Sequence, residues 1–148
     1  MADVPSVLFV CNSNRGKSQM AGALMRRLAA ERGVAVDVHT AGVQVTPGNP
    51  ESTTVNSESA ASVAALGATF EGERPKAVDP ELLRSVDRAV VVGTADLRPV
   101  ESMHGALEVW DTDEPSVRGI DGAERMDLIR DDINARVATL LDELTAGR

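Results

Sequence analysis

Cys11 is the only cysteine among 148 residues, and it stands where the apolar run VLFVC, residues 7–11, gives way to the polar segment NSNRGKS. A strand that ends in small and polar residues, with Gly16 ahead of a helix starting near Ser18, leaves several backbone N–H groups converging above the strand end. Such a nest, backed by the positive end of a helix dipole, binds oxyanions. The same field favours a thiolate, the form of cysteine that attacks. Arg15 and Lys17 add positive charge to the loop. The residues therefore predict a cysteine nucleophile in an oxyanion-binding loop, and this flanking pattern outweighs the plainer reading of an inert cysteine buried at a strand end.

A second group of residues able to do chemistry is the acidic loop Asp111, Asp113, Glu114, which runs into Pro115. In an open α/β sheet, ligands bind at the carboxyl ends of the strands, so this loop and the Cys11 loop are expected to meet. A nucleophile facing a carboxylic acid across an oxyanion pocket suits displacement at a tetrahedral centre, with the acid protonating the departing oxygen. Glu114 and Asp113 are the candidate acids; a solvated turn is the competing reading of that loop. His39 and His104 lack the clustered spacing of metal ligands and read as surface or strand-edge residues, so no metal is expected.

The elements that must position these groups alternate between strand and helix. Residues 7–10 form a continuous apolar run, as in a central parallel strand covered on both faces. Ala21, Leu24 and Leu28 then recur at helical spacing, with Gly33 as a stop. Residues 35–40 alternate as a second strand. The Pro-, Gly- and Ser-rich stretch 44–57 reads as a surface loop leading into a helix with Ala60, Val63, Ala64 and Leu66, stopped at Gly67. Asp79 with Pro80 starts another short helix through Leu83. Residues 88–92 and 107–110 complete the strands. Asp121 and Glu124 match a capping box, and Met126, Ile129, Ile133, Val137, Leu140 and Leu144 trace the stripe of a final amphipathic helix. The expected fold is a single α/β domain over 1–148, a four-stranded parallel sheet flanked by helices with right-handed crossovers.

Composition narrows the function. A hydrophobic content of 43% fits a globular protein, and a net charge of -8 argues against polyanionic partners. With no Tyr, two Phe and one Trp there is no aromatic platform for single-stranded nucleic acid. No stretch reads as a secretory signal or a membrane span, so a cytoplasmic protein without a membrane role is expected.

Taken in order, VLFVCNSNRGKSQMA, HTAG, DPELLRSVDRAVVV and WDTDEPSVRGIDGAERMDLIRDDI resemble the low-molecular-weight phosphatase fold as arsenate reductases use it. The likeness covers nearly the whole chain and looks most like the actinobacterial arsenate-mycothiol transferases, which share the GKSQM loop variant and the DEPS segment. The resemblance implies that Cys11 is the nucleophile and that Asn12, Ser13, Asn14, Arg15, Gly16, Lys17 and Ser18 hold the oxyanion. It further implies that Asn14 braces the loop and that Ser18 hydrogen-bonds the sulfur. Glu114 falls at the position before proline where the family's acid is usually aspartate, with Asp113 beside it.

Three departures from the family pattern shape the expected activity. The usual arginine six residues after the cysteine is Lys17, a point charge in place of a planar fork. Tyrosines beside the acid, common in the tyrosine phosphatases of this fold, are missing. The two further cysteines of thioredoxin-linked reductases are also missing, with Gly93 at the first of those positions. The resemblance then implies arsenate as substrate, mycothiol as co-substrate with no bound cofactor, and a mycoredoxin to complete reduction to arsenite. The rival readings are a low-molecular-weight tyrosine phosphatase or small phosphomonoesterase, and an oxyanion-binding protein without turnover.

Overall fold

The computed structural model describes residues 4–46, 48–49 and 53–146. Four strands form one sheet: β1 (Ser6–Cys11), β2 (Asp37–Gly42), β3 (Arg88–Val92) and β4 (Ala106–Trp110). All pairs are parallel and the order is β2-β1-β3-β4. Parallel pairing requires crossovers, and these are supplied by α1 (Lys17–Arg32) between β1 and β2, then α2 (Ser57–Ala64) and α3 (Pro80–Ser85) between β2 and β3. The chain closes with a short 3-10 turn (Pro115–Arg118) and α4 (Gly122–Thr145). Among the described residues no helix is long and apolar enough to cross a membrane.

The alternation within β1 explains why the sheet is covered on both sides. Val7 and Phe9 enter a core with Met20, Leu24 and Met25 of α1 and the α4 stripe. Leu8 and Val10 enter a smaller core with Leu83 and Val86, flanked by Leu97, Val100 and Met103. Ile129, Ile133, Val137, Leu140 and Leu144 are all buried, and side chains of this kind contribute about 1.5–3 kcal/mol each when fully removed from water. Phe9 and Trp110 lock β1 to β4 across the same face, with ring centroids 5.5 Å apart.

Local signals set most helix ends. Gly33 takes φ 66° after α1 and its N–H returns to the last turn. Asn56 Oδ1 accepts from Ser59 N to start α2, and Asp79 Oδ1 accepts from Glu81 N to start α3. The capping box expected at Asp121 and Glu124 does not form: Asp121 precedes α4 without a side-chain cap bond. Gly122 follows with φ 61°, so the first position lacks helical geometry and the Asp121 carboxylate is not set over a regular turn. The second strand starts at Asp37, two residues later than alternation suggested, and the expected 44–57 loop lies partly outside the described residues.

Candidate active site

β1 ends at Cys11, and the chain leaves the sheet through residues 12–16 before α1 begins at Lys17. The turn is tight because Asn14 takes a left-handed backbone, φ 54°, which Asn tolerates better than most residues. That conformation brings the Asn14 N–H to 3.2 Å from Cys11 Sγ. Ser18 Oγ lies 2.9 Å from the same sulfur. Asn14 Nδ2 donates to Ser18 Oγ at 2.8 Å, which leaves the serine's own hydrogen for the sulfur. Cys11 Sγ thus accepts from Asn14 N and, as a thiolate, from Ser18 Oγ.

The orientation of Asn14 is held from behind. Its Oδ1 accepts from Lys76 N at 2.9 Å, from Gln19 Nε2 at 3.3 Å and from Lys76 Nζ at 3.4 Å. Since the carbonyl oxygen collects these donors, Nδ2 has to face Ser18. Lys76 Nζ also donates to Thr40 Oγ1 at 3.2 Å and to Arg74 O at 2.9 Å, and burial draws its pKa down from the ordinary lysine value. The end of β2 backs directly on the loop: a Cβ on Gly42 would sit 2.7 Å from Asn12 O and 2.8 Å from Asn14 N. Only glycine fits there. Val43 N and Gln44 N then donate to Cys11 O and Asn12 O, at 3.0 and 2.8 Å.

In front of the loop lies a cavity of about 200 Å³, lined by Cys11, Asn12, Ser13, Gly16, Lys17, Val92 and Thr94. It opens between the carboxyl ends of β1 and β3, where the strand order reverses and α/β sheets bind ligands. α1 begins with no side-chain cap and no acidic residue in its first turn, so its first amides are left to an anion. Arg15 turns elsewhere. Its Nε donates to Thr54 O at 2.7 Å, and it lines an adjoining cavity of about 210 Å³ with Asn56, Ser59 and Arg125. Ser13, Gly16 and Lys17 form the wall between the two cavities.

Two carboxylates of the acidic loop, Glu114 and Asp113, are held in ion pairs. Glu114 receives Arg125 Nε at 2.8 Å and Nη2 at 2.7 Å, and Ser116 N and Oγ at 3.2 and 2.8 Å. The Arg125 guanidinium, aided by Ser116, holds its carboxyl at a pKa of about 2. Asp113 is clasped by both terminal nitrogens of Arg118, at 2.8 and 3.1 Å, which lowers its pKa as well. Neither carboxylate is among the residues lining the Cys11 cavity.

A family model described as low molecular weight phosphotyrosine protein phosphatase matches residues 6–148. The chain belongs to that family. Among solved structures, a low molecular weight phosphotyrosine phosphatase from Vibrio cholerae O395 superposes with a TM-score of 0.79 at 18% identity, covering 96% of this chain and 97% of that one. An arsenate reductase in its phosphate-binding state gives 0.73 at 20% identity, over 96% of this chain and all of that one. A thioredoxin-dependent arsenate reductase from Corynebacterium glutamicum also gives 0.73, at 23% identity, over 99% of this chain and 65% of that one. At these identities the likeness establishes the phosphatase fold shared by both kinds of enzyme.

Of the residues expected to bind the oxyanion, Asn12, Ser13, Gly16 and Lys17 face the Cys11 cavity, whereas Asn14 and Ser18 are buried behind it and Arg15 faces its neighbour. Sequence reasoning missed Gln19, Thr40, Gly42, Lys76 and the two arginine clasps. Their importance comes from contacts across long stretches of chain, for which local periodicity carries no signal. Gly93 has φ 105°, and a Cβ there would meet Lys17 Cδ and Nζ, both at 3.5 Å. A cysteine at this point would be strained by the backbone and would lie in contact with Lys17.

The Glu114 clasp predicts a pH effect with a definite sign. A carboxyl whose folded pKa is depressed contributes stability above its unfolded value and loses it as pH falls toward the folded one, here from 4.5 toward about 2. With both side chains about one-third exposed, the contribution is that of a surface pair, about 0–1 kcal/mol. Glu114→Gln is therefore expected to destabilise the protein slightly at pH 7 and by clearly less at pH 2. Denaturant midpoints at the two pH values check this; an equal gap at both would mean that the pair contributes no charge-dependent stability.

Proposed function

We propose that this member of the phosphatase family transfers arsenate to mycothiol, and that the arseno-mycothiol adduct is then reduced to arsenite by a separate mycoredoxin in the cytoplasm. The observation that carries this reading is Cys11, the sole cysteine of the sequence, facing a cavity with an uncapped helix start and a lysine. A displacement at arsenic by Cys11 leaves the arsenic on sulfur with no second thiol in these 148 residues to accept it. An outside thiol has to do so. In the first step the Cys11 thiolate forms an S–As bond while one oxygen gains a proton and departs as water. Mycothiol then attacks arsenic through sulfur, its proton is lost and the Cys11 thiolate is released. Arsenic stays pentavalent until the mycoredoxin supplies electrons.

The phosphatase reading has the family match itself in its favour. There the same cavity takes a phosphomonoester, and water replaces mycothiol as the second nucleophile. The two are separated by incubating the protein with arsenate and a panel of low-molecular-weight thiols, and in parallel with an aryl phosphate and no thiol. A thiol-arsenic adduct seen by mass spectrometry supports transfer. Phosphate release alone, without adduct under any thiol, replaces it with the phosphatase; binding without either product leaves only an oxyanion receptor.

A further inference from the structure

Both versions of the reaction need a proton at the departing oxygen, and the two carboxylates closest in sequence to that role are occupied. Glu114 satisfies its oxygens on Arg125 and Ser116, Asp113 on Arg118, and neither lines the cavity. The seven residues that do line it include two that titrate, Cys11 and Lys17. The Lys17 ammonium makes no hydrogen bond or ion pair with the described residues. We propose that Lys17 is a catalytic proton donor to the leaving oxygen as well as the charge that binds the oxyanion. The assignment rests on the displacement reading above.

Three features of the site support this. An ammonium carries a proton it can surrender, which an arginine guanidinium at the same place does not. A departing hydroxide or alkoxide is a far stronger base than an amine and phenolate a comparable one, so the transfer runs downhill or near level. The lysine also has a built seat. Gly93 leaves bare the surface against which Lys17 Cδ and Nζ rest, each 3.5 Å from the place of an added Cβ. The hydroxyl of Thr112, buried and without a partner among the described residues, lies 4.0 Å from that same point. The lysine tip therefore rests at the cavity wall where β3 ends.

The proton balance closes over two steps. As the Cys11 thiolate bonds to phosphorus or arsenic and the bond to the leaving oxygen breaks, Lys17 Nζ gives that oxygen a proton and becomes a neutral amine. The amine then takes a proton from the incoming water or thiol as it attacks, and Cys11 leaves as thiolate. Lys17 ends as an ammonium, and no electrons are exchanged.

Leaving-group dependence tests the assignment. Dinitrophenolate departs as a stable anion and needs no proton; phenolate, a stronger base, does. Lys17→Arg keeps the positive charge without the transferable proton, so the rate on phenyl phosphate relative to dinitrophenyl phosphate should fall about a hundredfold against the wild-type ratio. Lys17→Met should slow both esters and weaken the protection that inorganic phosphate gives Cys11 against iodoacetamide. Equal slowing of both esters by Lys17→Arg, or no slowing at all, overturns the proton role in an otherwise active enzyme. A selective loss on phenyl phosphate in Glu114→Gln, absent from Lys17→Arg, overturns it too by moving the role to a released Glu114. A wild-type protein that acts neither on aryl phosphates nor on arsenate with thiol overturns the displacement reading, and the Lys17 assignment with it.

Discussion

Cys11→Ser is expected to reduce turnover by roughly 10⁴-fold or more, on arsenate with thiol and on aryl phosphate alike, while the protein stays folded. Serine is close to cysteine in size and can keep hydrogen bonds with Asn14 N and Ser18 Oγ, so the loop has no reason to collapse. What changes is chemical. A hydroxyl remains protonated near neutral pH and makes a poor nucleophile, and no imidazole or carboxylate lines the cavity to take its proton. Steady-state rates beside thermal unfolding of the two proteins give the answer. Turnover close to wild type would place the reacting group elsewhere; joint loss of turnover and fold would make the sulfur structural.

An equally large effect is expected from withholding the thiol. With arsenate as substrate, turnover should fall to background without a low-molecular-weight thiol and should saturate as mycothiol is added. Thioredoxin with its reductase should not replace it. Thiol exchange needs a second thiol to reach the sulfur already loaded, and beyond Cys11 the sequence has none. Gly93, at the strand end where a relay cysteine would be sought, is in a backbone conformation that a side chain strains. Arsenite production by thioredoxin and its reductase at the mycothiol rate would sink the bimolecular scheme and require an electron path that does not pass through cysteine.

How much of this was legible in the sequence depends on the range of the interaction. VLFVC announced a strand buried on both faces because every residue in it is apolar, and both cores accept it. Gly33 and the Asp79-Pro80 pair marked helix ends because capping is decided within four residues. The stripe from Met126 to Leu144 was visible because one helix repeats its own face. Asp121 and Glu124 misled, since the pattern takes no account of the left-handed Gly122 between them. Arg125 and Arg118 could be read as helix-face and loop charges. That each closes on an acidic residue 11 or 5 positions earlier depends on how the 3-10 turn folds back. Lys76 is the extreme case, 62 residues from the Asn14 it holds, in a segment with no periodic pattern.

The brace around Asn14 bears on binding as well as on architecture. A left-handed residue in a loop that had to arrange itself around each anion would charge its conformational cost to the ligand. Here Lys76, Gln19 and Ser18 hold that geometry through bonds made within the protein itself, so folding has already met the cost. For the proposed oxyanion, affinity would therefore be set partly by groups that never touch it. A chain in which the brace is cut could keep every contacting atom and still bind weakly, because the anion would have to organise its own receptor.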